Sequence, residues 1–162
     1  MGLEVMRARD WVGISASIIL GVIFLAAATG KFFATHQLLA TEIHLQMFMS
    51  PYLASLVSNT VPWIELAFGL LLIIGIFAKL AAALSLPLIA GFIFTNGWLI
   101  AHGLSYEPCG CLGIVEKLLN VKLSTLDSLV FDIILLALVA VVLAYYPGKF
   151  VKRQPWFVRR GG

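Results

Sequence analysis

Four stretches of this chain are each long and apolar enough to cross the hydrocarbon core of a bilayer, and that limits its possible folds more than any other feature. A helix needs about 20 mostly apolar residues for one crossing. Residues 11–30 carry no charge, 61–78 carry only Glu65, 80–101 carry none, and 124–146 carry Asp127 and Asp132. The chain is 61% hydrophobic and 12% charged, against roughly 45–50% and roughly 25% in an ordinary soluble domain. A water-soluble body of 162 residues has too little interior to hide that much apolar surface. Runs of this length fit helical crossings, since a barrel strand needs only about 9–11 residues. The sequence therefore reads as all-α: an integral membrane four-helix bundle, one domain over residues 1–162, without internal repeats.

Several boundaries are marked locally. Lys79 alone separates the second and third spans, which predicts a tight helical hairpin, and Pro87 predicts a kink in the third. Ser124 and Asp127 stand at capping-box spacing and predict a helix start. The connection 31–60 holds an apolar stretch interrupted by His36, Glu42, His44 and Pro51, expected at the membrane surface, over the bundle or as a re-entrant segment. The other long connection is 102–123, and 147–162 is a basic tail. A cleaved signal peptide is the competing reading of the first span, with Arg7 and Arg9 as its charged region. Signal-peptide apolar regions run only about 7–15 residues, so an uncleaved span is the expectation.

Basic residues set the expected orientation. With four spans both termini share a side, which collects Arg7, Arg9, Lys79, Lys149, Lys152, Arg153, Arg159 and Arg160, against Lys31, Lys117 and Lys122 opposite. The positive-inside rule then places both termini in the cytoplasm and both long loops outside it. The net charge of +3 thus reports membrane orientation and not a nucleic-acid partner. Trp11, Trp63, Trp98, Tyr145 and Tyr146 fall near span ends, as interfacial aromatic belts do. The expected location is a bacterial inner membrane, multi-pass.

That orientation puts both cysteines of the chain, Cys109 and Cys111, in the outer loop, on the oxidising side. A disulfide between residues two apart closes a very small ring, and good disulfide geometry is restrictive. Gly110 relaxes the backbone between them. Such a bond makes a poor structural staple because its loop is tiny, whereas strained disulfides are the labile, oxidising ones. Three readings compete: a redox-active pair, a metal site shared with His102, and an inert or purely structural turn. Three candidate ligands in one loop fall short of a zinc signature, so no metal is assigned. His36 and His44 read as surface polar residues.

Ionisable residues inside spans are the second signal, since charge there is costly and faces the bundle interior or a cavity. Glu65, Asp132, Lys31 at the end of the first span and His102 at the end of the third all fall toward the cysteine side. Pairing of Lys31 with Glu65 or Asp132 offsets part of the burial cost. The group reads either as a proton or polar relay, with a quinone headgroup as a further occupant, or as a structural ion pair. Gly13, Gly21, Gly69 and Gly75 read as sites of close helix packing.

Three motifs in order along the chain carry a resemblance. The first span ends in Ala-Thr-Gly-Lys-Phe (Ala28–Phe32), the second opens with Pro-Trp-Ile-Glu-Leu (Pro62–Leu66) followed by Gly69, and Cys-Gly-Cys-Leu-Gly (Cys109–Gly113) precedes the last. Together, over about residues 11–146, they resemble the DoxX/MauE family, with the MauE branch the closer fit. Leu112 stands where relatives often carry Phe, and many relatives lack the cysteines. The resemblance implies a four-helix membrane protein. MauE-type members are linked to disulfide handling outside the cytoplasm, beside thioredoxin-like partners, during maturation of methylamine dehydrogenase. DoxX relatives include a subunit of a thiosulfate- or quinol-linked oxidoreductase. By motif match Cys109 and Cys111 become the redox pair, with Lys31 and Glu65 the polar residues of the bundle.

Two functional expectations follow. One is a membrane thiol–disulfide exchange protein serving a periplasmic thioredoxin-like or other dithiol partner, with no cofactor firmly implied and quinone the one in view. The other is a non-catalytic small subunit that assembles or stabilises a larger respiratory or photosynthetic membrane complex. A transporter has little support, since four spans show no repeat.

Overall fold

A computed structural model describes residues 8–33, 45–46, 49–103 and 124–147. Cys109, Cys111, His36, His44 and the basic tail lie outside the described residues. Four long helices account for nearly all of the rest: α1 (Ala8–Phe33), α2 (Pro51–Ile74), α3 (Ala78–Ala101) and α4 (Thr125–Tyr145). Each is long and apolar enough to cross a membrane. No β-strand occurs among the described residues.

The faces of these helices are inverted relative to a soluble bundle. Along α4 the buried residues are Thr125, Ser128, Asp132, Leu135, Val139 and Val142, spaced by three and four as one helical stripe. The opposite face exposes Val130, Ile133 and Ile134. A helix in water would carry its polar residues outward; here several point inward and the outward face is aliphatic. Ile19, Val22, Leu84 and Phe94 continue that apolar exterior on the other helices. Hydrocarbon is the solvent this exterior fits.

The helices pack as a ring in chain order, α1 against α2 and α4, and α3 against α2 and α4. Close approach replaces the hydrophobic effect as the organising force between helices in lipid. A Cβ on Gly21 would lie 2.8 Å from the Gly69 carbonyl oxygen, and one on Gly69 would lie 2.9 Å from that of Gly21, so α1 and α2 touch backbone to backbone. Gly13 meets the backbone of Tyr145 and Tyr146 in the same way, at 2.4–2.6 Å. Ser17 Oγ donates to the Leu72 carbonyl (2.8 Å) and the Tyr146 hydroxyl to that of Gly75 (3.2 Å), which ties the far end of the bundle.

The second span differs from its expected bounds of 61–78 and begins ten residues earlier, at Pro51. Ser50 is its N-cap and Pro51 stands at N1, where the missing N–H is no loss and the fixed φ suits a helix. Pro51 therefore starts the helix and does not interrupt a loop. The same helix ends at Ile74 because Gly75 takes a left-handed φ of 79° and its N–H closes on Leu71. The turn is thus Gly75–Phe77, with Lys79 already inside α3. α3 runs unbroken through Pro87. At the start of α4 the capping box is present: Asp127 N–H donates to Ser124 Oγ (3.4 Å) and Ser124 N–H to Asp127 Oδ2 (3.0 Å).

Candidate functional site

Each helix contributes one polar side chain to a single buried layer. Lys31, near the end of α1, donates from Nζ to Glu65 Oε1 of α2 at 2.5 Å. Asn96 of α3 donates from Nδ2 to Asp132 Oδ2 of α4 at 2.7 Å. All four residues are 3% exposed or less. Phe92, one turn before Asn96, places its ring 4.9 Å from Lys31 Nζ and joins the two pairs across the bundle. Asp132 is within electrostatic reach of Lys31.

Sequence places these groups at one level for simple reasons. Lys31 continues the buried face of α1 through Phe24, Ala27 and Ala28. Glu65 belongs to the stripe Ser58, Pro62, Glu65, Gly69 and Leu72 on α2. Asp132 falls seven residues after Thr125, two helical turns or roughly 10 Å, on the same stripe of α4. Pro62 lacks the N–H that would bond the Ser58 carbonyl, leaving the backbone of α2 more polar just beside the layer. On the lipid side, Trp63 packs edge-on to Phe32 at 4.9 Å and flanks the ion pair.

Two buried oxygens in this region have no hydrogen-bond partner among the described residues: Glu65 Oε2 and Ser128 Oγ. Ser128 lies one turn from Asp132 on the same stripe. Such atoms are uncommon in the interior of a folded protein and call for a reason.

Of the four polar residues singled out from sequence, Lys31, Glu65 and Asp132 come together. His102 does not. It is exposed at the end of α3, with Nδ1 2.9 Å from the Trp98 carbonyl and its ring stacked on Trp98 at 4.3 Å. Six residues on a 3.6-residue helix carry it roughly 120° round from Asn96, off the buried face. Glu65 also sits deeper in its helix than a start at residue 61 implied, because α2 extends back to Pro51. Sequence alone singles out neither Asn96 nor Ser128; for Asn96 the signal is an amide inside an otherwise apolar span. Among the described residues no three His, Cys, Asp or Glu side chains converge as metal ligands would.

Four membrane-crossing helices around one buried polar layer define a multi-pass helical membrane protein. The family model described as Methylamine utilisation protein MauE matches residues 9–145, and the chain belongs to the MauE family. No curated protein and no solved structure matches the chain.

Proposed function

We propose that this protein is a thiol–disulfide exchange protein of the bacterial inner membrane, acting through Cys109 and Cys111 on an extracytoplasmic dithiol partner. One observation carries the reading: the two cysteines of the chain form a single Cys-Gly-Cys, in the segment joining α3 to α4, within a MauE-family chain. The family's description supports a role connected with methylamine utilisation.

The chemistry is exchange alone. A partner thiolate attacks one sulfur of the Cys109–Cys111 disulfide, forming a mixed disulfide and releasing the other cysteine as thiolate. The partner's second thiolate then attacks the mixed disulfide. The partner leaves oxidised, and Cys109 and Cys111 have gained two electrons and two protons. Small-ring strain favours this direction. The positive-inside rule supports an outer location for the loop. A membrane quinone is the class of acceptor that would return the pair to its oxidised form.

The test replaces Cys109 and Cys111 with Ser and follows the redox state of extracytoplasmic dithiol proteins by thiol alkylation and gel shift. Accumulation of reduced partner at normal abundance of the variant is expected. An unchanged redox state would remove the proposal. If deleting the whole chain then dissolves a stoichiometric membrane complex that the Ser variant leaves intact, the assembly-subunit reading takes its place.

A further inference from the structure

The polar layer contains two carboxylates and one lysine. Lys31 and Glu65 balance as a direct pair, while among the described residues Asp132 has only the neutral Asn96 amide as its hydrogen-bond donor. With all three groups charged, the described residues of the layer would hold one negative charge more than positive in the interior of a membrane bundle. Charges buried without a partner are costly enough that a group neutralises in preference. The ionisable and polar groups facing this point are Lys31 from α1, Glu65 from α2, Asn96 from α3 and Asp132 from α4, so no second cation is supplied by the described helices.

A metal cation is a poor candidate for the missing charge. The Asn96 amide nitrogen points its protons at Asp132 Oδ2, and Lys31 is within electrostatic reach, so a cation there would meet two positive dipoles or charges. A proton has no such conflict, because it becomes part of the carboxyl. We infer that the layer is a proton-binding site that holds one exchangeable proton, shared between two carboxyls and one lysine and reached along the Thr125–Ser128–Asp132 stripe of α4. The inference stands apart from the cysteine chemistry.

The stripe supplies the route. It runs inward from the partly exposed cap residue Ser124 through two buried hydroxyls to the buried carboxyl. Steps of three and four residues correspond to about 4.5 and 6 Å along the axis. The Ser128 hydroxyl, buried and without a partner among the described residues, stands between cap and carboxyl along the stripe, where it can hand a proton on through a bridging water. Glu65 Oε2, also unpartnered, is the matching acceptor on the opposite side of the layer. A purely structural ion pair explains Lys31 and Glu65, but it explains neither of these two oxygens nor the third charged group.

Counting protons tests the inference. The full chain in lipid nanodiscs is measured by infrared spectroscopy at neutral pH, reading the carbonyl-stretch band of a protonated carboxylic acid and its shift in D2O. The wild type is expected to show one such buried group. Asp132→Asn should lose it, and Glu65→Gln should lose it as well, because Lys31 then balances the remaining carboxylate. Lys31→Met should raise the count to two. Ser128→Ala should keep the band but slow its exchange with D2O at least about tenfold, which is roughly 1.4 kcal/mol of added barrier. No protonated carboxyl in the wild type, or a band that survives in either Asp132→Asn or Glu65→Gln, would overturn the site. Wild-type exchange in Ser128→Ala would overturn the route. The two carboxyl variants lie on different helices, so either decides the proton count if the other fails to fold.

Discussion

Replacing Lys31 by Met should destabilise the bundle by about 3–4 kcal/mol, and the size of that loss can be worked from the ion pair. The two side chains are 4% and 1% exposed, so solvent screens their interaction very little. Unit charges separated by 2.5 Å attract by about 7 kcal/mol at an effective dielectric constant of ~20. Several kcal/mol of desolvation per ion oppose this, which leaves the intact pair close to neutral. Removing Lys31 takes away the attraction and keeps the desolvated carboxylate. The cheapest escape for a lone carboxylate is to bind a proton. For a carboxyl with the ordinary glutamate pKa that costs about 3.7 kcal/mol at pH 7, which caps the penalty. Measured losses on breaking buried pairs, about 3–5 kcal/mol, bracket the same value. The double variant Lys31→Met/Glu65→Gln removes both charges at similar volume and should return to within about 1 kcal/mol of wild type. Reversible unfolding of the purified chain in mixed micelles, titrated with denaturing detergent, gives all three values. If Lys31→Met unfolds like wild type, or the double variant is no better than the single one, the pair is not what balances charge in this bundle.

Other substitutions test separate parts of the structure by the same unfolding assay. Gly13→Ala should cost about 1–3 kcal/mol, since its Cβ would meet the Tyr146 amide nitrogen at 2.4 Å. Gly91→Ala should be neutral or stabilising by up to about 1 kcal/mol, because nothing lies within 4 Å of that Cβ. Ser124→Ala removes the capping box of α4 and should cost about 1 kcal/mol. Asn96→Ala leaves Asp132 Oδ2 without its donor and should cost about 1–3 kcal/mol; an equal effect in the Asp132→Asn background would deny the interaction.

What the sequence disclosed follows from which forces act locally. Runs such as 11–30 announce themselves because lipid imposes a length on every crossing. Lys31 is legible as the partner of a buried carboxylate, with Glu65 and Asp132 both open, because a charge inside a span has few ways to survive, and the capping box at Ser124 is legible because it is a four-residue event. Asn96 is not, since a neutral amide scarcely alters the hydropathy of 80–101, and only the packing of α3 on α4 reveals that it faces Asp132. Depth alone groups His102 with the other polar residues, and depth says nothing about which way a helix turns its side chains. The start of α2 is hard to read from sequence because Pro51 breaks a helix internally but opens one at N1, and the preceding Ser50 decides between the two. Ser128 draws attention only after the bundle leaves its hydroxyl buried without a partner.

The most direct check on the proposed role is which face of the membrane presents the sulfurs. A membrane-impermeant maleimide is applied to intact cells before and after mild reduction, and the chain is scored for labelling at Cys109 and Cys111. Reaction from the exterior that appears only after reduction is the predicted result, meaning an oxidised pair on the outer face. Labelling that requires the cell to be opened, with none from the exterior in either state, would contradict it.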